Sequence, residues 1–81
     1  MQIQLSKKGH VFSTRPKAHE VFDELFDEKE ITLDFTDVES ATPSFLHETL
    51  LIFKKKNMNL HIENMSNSLK FQLEKARRAL I

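Results

Sequence analysis

The stretch ITLDFTDVESATPSFLHE, residues 31–48, decides the fold of this chain. It opens with isoleucine, leucine and phenylalanine alternating with polar residues, which predicts a strand over residues 30–36. At residues 42–44 the sequence Thr-Pro-Ser is typical of a helix start, because a hydroxyl caps the first turn and proline fits there. A strand that leads through a short loop into a helix is the unit of α/β proteins.

The alternation of strands and helices continues on the N-terminal side. Ile3 and Leu5 alternate with glutamines and predict a first strand, and we expect residues 11–12 to pair back on it as a short hairpin arm. Residues 13–16, Ser-Thr-Arg-Pro, predict another helix start. Apolar residues then recur at helical spacing up to Phe26, while acidic residues occupy the opposite face. This helix is therefore predicted to be amphipathic with an acidic outer face.

The C-terminal side predicts a further strand and helix. The helix that starts at residues 42–44 is the most apolar one, and its end is predicted at the lysines 54–56, with Asn57 as a left-handed stop. Residues 58–63 alternate again and predict a strand. A third helix is predicted from an apolar stripe at helical spacing, formed by Leu69, Leu73, Ala76 and Leu80.

Strands that alternate with helices imply right-handed crossovers and a mostly parallel sheet. The sequence therefore predicts one α/β domain over residues 1–81, a small two-layer sandwich of about four mostly parallel strands with three helices. Because the chain has only 81 residues, its core is small and leaves little room for a deep catalytic cleft.

Composition excludes several classes of protein. Cysteine is absent, which rules out disulfides, a cysteine-ligated zinc site and a thiol nucleophile. The first residues lack the basic and apolar segments of a secretory signal, and no apolar run reaches the roughly 18 residues that a membrane span needs. We therefore expect a soluble, cytoplasmic protein without membrane contact.

The familiar catalytic motifs are incomplete. His47-Glu48 starts like the zinc-protease motif, but Leu51 stands where the second histidine is required. A single glycine excludes glycine-rich phosphate loops and the dinucleotide fingerprint. Ser44 and His47 lie one helical turn apart, yet nothing indicates an oxyanion hole, so an enzyme built on Ser44, His47 and Glu48 is the weakest hypothesis. We expect neither catalysis nor a metal or cofactor.

The strand-to-helix junction is the best candidate site. In parallel sheets, ligands bind where the carboxyl ends of strands meet helix N-termini. The hydroxyls of Thr42 and Ser44 would lie at such an end, where a phosphoryl group is stabilised by the helix dipole. The plainer interpretation, and the better one for either hydroxyl alone, is that Thr42 only caps the helix. Asp34 could in turn hydrogen-bond the backbone of the neighbouring loop.

Several short segments of this region resemble a known family. They are Gly9, Phe12-Ser13-Thr14-Arg15, residues 31–35, Val38, Pro43-Ser44-Phe45 and Glu48. Together they look like the bacterial and archaeal STAS-like domains of unknown function. That family is similar to STAS domains, named for sulphate transporters and anti-sigma-factor antagonists. The resemblance implies a β/α sandwich that acts as a protein-interaction module. In the better-known antagonists a partner kinase phosphorylates a serine at the start of the helix after the central strand, and the phosphate abolishes binding.

The chain departs from those antagonists at the phosphorylation motif. Thr42 stands at the usual acidic position, Pro43 at the usual phosphoacceptor position and Phe45 at the usual glycine. Ser44 matches the second hydroxyl position, so it keeps a candidate acceptor in place.

Two charged residues match positions typical of the STAS-like family. These are Arg15, which opens the first helix, and Glu48, which lies one turn into the second. We expect them to form an ion pair near the junction; alternatively, Arg15 receives a phosphate or a carboxylate from a ligand.

These observations predict a non-catalytic regulatory module that docks to another protein, a kinase-like partner or a transcriptional regulator. Its acidic first helix or its junction would be the contact surface, and phosphorylation at Ser44 or Thr42 would act as a switch. A homodimer through residues 1–5 is a further option. The junction residues predicted to carry partner binding or phosphorylation are Asp34, Thr42, Ser44, Phe45, Glu48 and Arg15.

The alternative function is nucleic-acid binding through the C-terminal half. Residues 1–41 carry five basic and nine acidic side chains, a net −4, and residues 42–81 carry seven basic and three acidic, a net +4. Zero net charge overall and the lack of a base-reading motif do not favour this alternative. The basic residues concerned are Lys54, Lys55, Lys56, Lys70, Lys75, Arg77 and Arg78, with Phe71 as the nearby aromatic.

Overall fold

The computed structural model describes residues 1–25 and 29–79. A 3-10 turn at Leu5–Lys7 follows the first strand. Within the described ranges, no helix is both long and apolar enough to cross a membrane. The elements are β1 (Gln2–Gln4), β2 (Val11–Phe12), α1 (Arg15–Phe22), β3 (Glu30–Asp34), β4 (Ser40–Ala41), α2 (Pro43–Lys55), β5 (Asn59–Glu63) and α3 (Asn67–Arg78).

The main sheet has the strand order β1-β3-β5, and both of its pairings are parallel. Ile3, Leu33 and Ile62 lie side by side on the face that the helices cover. The neighbouring residues of the same strands, such as Gln4 and Glu63, lie on the outer face and are exposed. The predicted two-layer α/β class with three helices and parallel strands is confirmed, with five strands instead of about four.

The predicted hairpin arm is wrong. Residues 11–12 do not return to β1 but pair in parallel with β4, with Phe12 opposite Ala41. The Glu39 N–H donates to the His10 carbonyl at 2.9 Å and the Thr42 N–H to the Phe12 carbonyl at 2.9 Å, so the pairing runs up to the start of α2. The reason is packing: the 3-10 turn takes the chain away from β1, and Phe12 is buried against the second helix.

The helix starts follow the sequence prediction. The hydroxyl oxygens of Thr14, Thr42 and Ser66 accept the N–H groups of the residues three positions on, each at 3.2 Å. Proline occupies the first turn of α1 and of α2, as predicted. Asn57 has φ of 57° and confirms the left-handed stop after α2. The first helix ends at Phe22, earlier than predicted, and Phe26 lies outside the described residues.

The end of α1 is stabilised by the residue that follows α2. The Lys56 ammonium donates to the carbonyls of Phe22, Asp23 and Leu25 at 3.3, 2.8 and 3.0 Å. These carbonyls lie at the C-terminal end of α1, where a cation complements the negative end of the helix dipole. Lys56, counted above among the basic patch, therefore holds α1 against α2.

The core is built around four phenylalanines. Phe45 is fully buried, and its ring centroid lies 5.0 Å from that of Phe12 and 6.2 Å from that of Phe22. Phe53 lies about two helical turns after Phe45 on α2. Its ring meets that of Phe22 edge-on, with the ring centroids 5.3 Å apart. Because these rings come from β2, α1 and α2, one aromatic cluster joins the small sheet to two helices.

Phe45→Ala is expected to lower the free energy of unfolding by about 3–5 kcal/mol, because it leaves a cavity at the centre of the cluster. Phe71→Ala is the matched control, since the Phe71 side chain is 58% exposed; its effect should stay within about 0.5 kcal/mol. Urea unfolding followed by circular dichroism measures both. Similar losses for the two variants would contradict the central position of Phe45.

Candidate functional site

Five side chains from α1 and α2 meet on the surface and form what we call the clasp. Arg15 opens α1, Asp23 caps its end, and the cluster lies where α1 faces α2. Its members are Arg15, His19, Asp23, His47 and Glu48. The predicted ion pair is confirmed, because Arg15 Nη1 donates to Glu48 Oε1 at 2.8 Å. The clasp therefore connects residues that are 33 positions apart in sequence.

Glu48 is the centre of the clasp. Its second oxygen, Oε2, accepts from His19 Nε2 at 2.7 Å, so each carboxylate oxygen has a cationic partner. The side chain of Glu48 is 18% exposed, against 47% for Arg15. Hydrogen bonds from His19 and then from Arg15 hold the pKa of Glu48 below its ordinary value.

His19 lies between two carboxylates. In addition to the bond with Glu48, its Nδ1 donates to Asp23 Oδ1 at 2.9 Å. Two carboxylate acceptors are satisfied only by the doubly protonated ring, which donates from both nitrogens. The hydrogen bonds with Asp23 and with Glu48 accordingly raise the pKa of His19 above its ordinary value.

His47 contacts the guanidinium of the clasp rather than a carboxylate. Its Nδ1 lies 2.9 Å from Arg15 Nη1, the same nitrogen that donates to Glu48. A guanidinium only donates, so His47 Nδ1 is the acceptor of this hydrogen bond. One nitrogen of Arg15 therefore contacts both a ring nitrogen of His47 and a carboxylate oxygen of Glu48.

The junction residues have distinct surroundings. Thr42 Oγ1 accepts the Phe45 N–H at 3.2 Å and donates to the Ser13 carbonyl at 3.0 Å, so its hydroxyl caps α2 and ties it to the chain before α1. Ser44, at the second position of α2, is exposed. Phe45 was predicted as part of the contact surface, but its side chain is fully buried and supports the junction from inside.

Asp34 forms a separate polar cluster. Its Oδ1 accepts from the Thr36 hydroxyl at 2.6 Å, from the Thr36 N–H at 2.9 Å and from Asn64 Nδ2 at 3.0 Å. These bonds lower the pKa of Asp34, that of the Thr36 hydroxyl most. The predicted bond to the neighbouring loop backbone is confirmed by the Thr36 N–H. The bond from Asn64 links the loops after β3 and β5, so Asp34 does not join the clasp.

Sequence reasoning missed two members of the clasp, His19 and Asp23. The signal was present: Arg15, His19 and Asp23 follow each other at intervals of four, which places them on one face of a helix. What the sequence lacked was the partner, because only the packing of α1 on α2 brings Glu48 to that face. In the described part of the chain, no group of three or more acidic or histidine side chains is placed to hold a metal ion.

A shallow groove of about 620 Å³ extends from the clasp along α2. Leu51 contributes the main exposed apolar surface, with its side chain 37% exposed. The groove is lined by His19, Glu48, Leu51, Ile52, Lys54 and Lys55.

A comparison with protein-family models finds a match for this chain. The family is described as "STAS-like domain of unknown function (DUF4325)", and its model matches residues 17–71, about two thirds of the sequence. The match includes His19, Asp34 and the junction residues 42–48 but not Arg15, and the family is the one that the sequence resembles. Neither the curated proteins nor the solved structures gave a match.

The clasp makes stability depend on pH in a predictable direction. Because the pKa of His19 is raised on folding, protonated His19 contributes its full stabilisation below the ordinary pKa of 6.5. This contribution is lost as pH rises through the pKa of the folded state. Because the pKa of Glu48 is lowered on folding, the ionised carboxylate contributes its full stabilisation above the ordinary pKa of 4.5. This contribution is lost as pH falls through the lower pKa of the folded state. We therefore expect the contribution of the clasp to be greatest between those two values.

His19→Gln should remove the decline on the alkaline side. Glu48→Gln should remove the decline that Glu48 causes on the acid side and only weaken the alkaline one, because Asp23 still raises the pKa of His19. Urea unfolding at a series of pH values from 2.5 to 9 measures both declines. His10→Gln, which removes an exposed histidine outside the clasp, should keep the wild-type profile. A His19→Gln profile that parallels the wild type would show that His19 is not charged by its two carboxylates.

Proposed function

The chain belongs to the family of STAS-like domains of unknown function, and we propose that it is a non-catalytic regulatory module that docks to a partner protein. The contact surface is what we call the junction surface, formed where the first turns of α1 and α2 meet. It consists of Arg15, Ser44, His47 and Glu48.

The observation that carries the proposal is the position of Ser44 relative to Arg15. Ser44 precedes His47 by three residues and Glu48 by four, so helical geometry puts the three side chains on one face. Both His47 and Glu48 contact Arg15. An exposed hydroxyl thus lies one helical turn from two side chains that contact the Arg15 guanidinium on the surface.

Phosphorylation of Ser44 would change this surface. A phosphoserine adds about −1.5 to −2 charges at neutral pH. At the second position of α2 it is stabilised by the helix dipole, and it competes with Glu48 for Arg15 through stronger, charge-assisted hydrogen bonds. Thr42 is the poorer acceptor, because its hydroxyl already caps α2 and bonds Ser13.

The groove beside the clasp supports the choice of a protein as partner. It offers the exposed Leu51 next to the cations of Lys54 and Lys55, a mixture of apolar and charged groups suited to a protein surface. A kinase-like protein or a transcriptional regulator fits a module with a switchable serine. A kinase-like partner would supply the phosphate on Ser44, whereas a bound transcriptional regulator would be released when Ser44 is phosphorylated.

Ser44→Asp is expected to weaken binding of the partner without weakening the fold. The added carboxylate lies at a helix N-terminus, so the free energy of unfolding should stay the same or rise by about 0.3–1 kcal/mol. Ser68→Asp is a matched control, since Ser68 is exposed and holds the corresponding position of α3, two residues after the cap Ser66. The measurement is quantitative affinity capture from host lysate with tagged wild type, Ser44→Ala, Ser44→Asp and Ser68→Asp.

The proposal requires a protein that wild type and Ser68→Asp retain and that Ser44→Asp loses. Purification of that protein then allows its affinity for each variant to be measured directly. Equal retention by Ser44→Ala and Ser44→Asp would refute the switch, and equal loss by Ser68→Asp would show that any acidic charge at a helix start has the same effect.

Nucleic-acid binding is the second candidate, favoured by one observation on α3. The Phe71 ring is 58% exposed in a basic stretch, with the Lys75 ammonium 4.6 Å from its centroid. Such a pair can stack on an unpaired base and neutralise a phosphate. Against this, Lys56 is bonded to the end of α1 and does not belong to a free basic patch.

Single-stranded RNA of mixed sequence tests the second candidate. If α3 binds it, Phe71→Ala and Lys75→Gln should each weaken a salt-sensitive complex in fluorescence anisotropy by about tenfold. Lys54→Gln, which neutralises an exposed lysine of α2, is the control. Equal affinities of all three variants would eliminate α3 as a nucleic-acid surface.

A further inference from the structure

The outer edge of β5 offers backbone groups for pairing. The Asn59 N–H donates to the Lys29 carbonyl at 2.7 Å, and the Glu63 carbonyl accepts the Phe35 N–H at 3.0 Å. In a parallel ladder successive residues direct their N–H and C=O groups to opposite sides. Asn59 and Glu63 face β3, so Leu60 and Ile62 direct theirs to the edge of the sheet, where the order β1-β3-β5 places no further described strand.

A groove lies along this edge, between β5 and α3. Its volume is about 540 Å³, in the range of peptide- and ligand-binding clefts. The apolar part of its wall is formed by partly buried side chains, Leu60, Ile62, Met65 and Leu73. We call this cleft the β5 groove.

The polar part of the β5 groove is basic. The two charged side chains that line it are Lys70 and Arg77, and its remaining polar residue is Asn64. On α3, Leu73 lies between Lys70 and Arg77, which are two helical turns or about 10.5 Å apart. The groove therefore presents an apolar position flanked by two cations, above a strand edge with unused backbone groups.

We propose that the β5 groove binds an extended acidic segment of a partner protein as an added strand of the sheet. Residues i and i+4 of a strand are about 13 Å apart and point to the same face, close to the spacing of the two cations. The matching segment has the pattern Glu-x-Val-x-Glu, in which the central apolar side chain meets Leu73 and the two carboxylates meet Lys70 and Arg77. Backbone bonds to Leu60 and Ile62 supply affinity, and the charges supply specificity.

A second copy of this chain is a poorer occupant of the same groove. Two copies joined through their β5 edges would bring the basic rims of Lys70 and Arg77 together, and like charges across an interface oppose association. The β5 groove shares no residue with the junction surface, so the two surfaces can bind or fail independently of each other.

The test is a titration of the full-length chain, labelled with nitrogen-15, with the peptide acetyl-Ser-Glu-Thr-Val-Thr-Glu-Ser-amide. Amide signals of Leu60, Ile62 and Asn64 should shift, whereas the same peptide with lysines in place of both glutamates should leave them unchanged. In Lys70→Glu/Arg77→Glu the affinity should fall roughly tenfold. In the control Lys54→Glu/Lys55→Glu, which reverses two exposed charges on α2, it should change less than about twofold.

Three outcomes would overturn the proposal. They are the absence of shifts at millimolar peptide, shifts centred away from β5 and α3, and equal weakening by both double variants. Sedimentation at the same concentrations tests a fourth outcome. A dimer whose formation displaces the peptide would identify a second copy of the chain as the occupant of the β5 groove, and would also overturn the proposal. If Lys70→Glu/Arg77→Glu does not fold, the comparison of the acidic and the lysine-substituted peptide on the wild-type chain still decides whether the β5 groove prefers an acidic segment.

Discussion

The contact of Phe45 with Phe12 and Phe22 is the interaction on which the rest of the structure depends. These rings come from the second helix, the small second sheet and the first helix, and they are fully buried. In a domain of 81 residues few other large side chains are available to join these elements. The cluster explains why β2 pairs with β4 and why the N-termini of α1 and α2 lie beside each other.

The charged chemistry follows from that alignment. Once the two helix starts are adjacent, Glu48 of α2 lies between Arg15 and His19 of α1, and both cations reach its carboxylate. The same packing brings His19 against the carboxylates of Asp23 and Glu48, which raise its pKa, and brings His47 against the guanidinium of Arg15. At the opposite ends of these helices, Lys56 satisfies carbonyls of α1. Polar contacts at both ends therefore reinforce an orientation that the buried rings set.

Small size also determines where binding can occur. Because the interior is filled by aromatic and aliphatic side chains, the surfaces that can bind a partner lie at helix starts and at a sheet edge. The junction surface and the β5 groove are of these two kinds, and they differ in chemistry. The first is a switchable set of mixed charges beside a serine, and the second is an apolar cleft with a basic rim.

The sequence by itself determined the three helices, the strands of the main sheet, the parallel α/β class and the caps at Thr14 and Thr42, but not the short strand β4. The pairing of Arg15 with Glu48 was expected from the family resemblance. Caps and alternation are local signals, so a few neighbouring residues suffice to reveal them. Only the tertiary structure decided that β2 pairs with β4, that Phe45 is buried and that His19 completes the clasp. Each of these depends on residues roughly 30 positions apart, and a local pattern carries no information about which distant side chain will fill a given space.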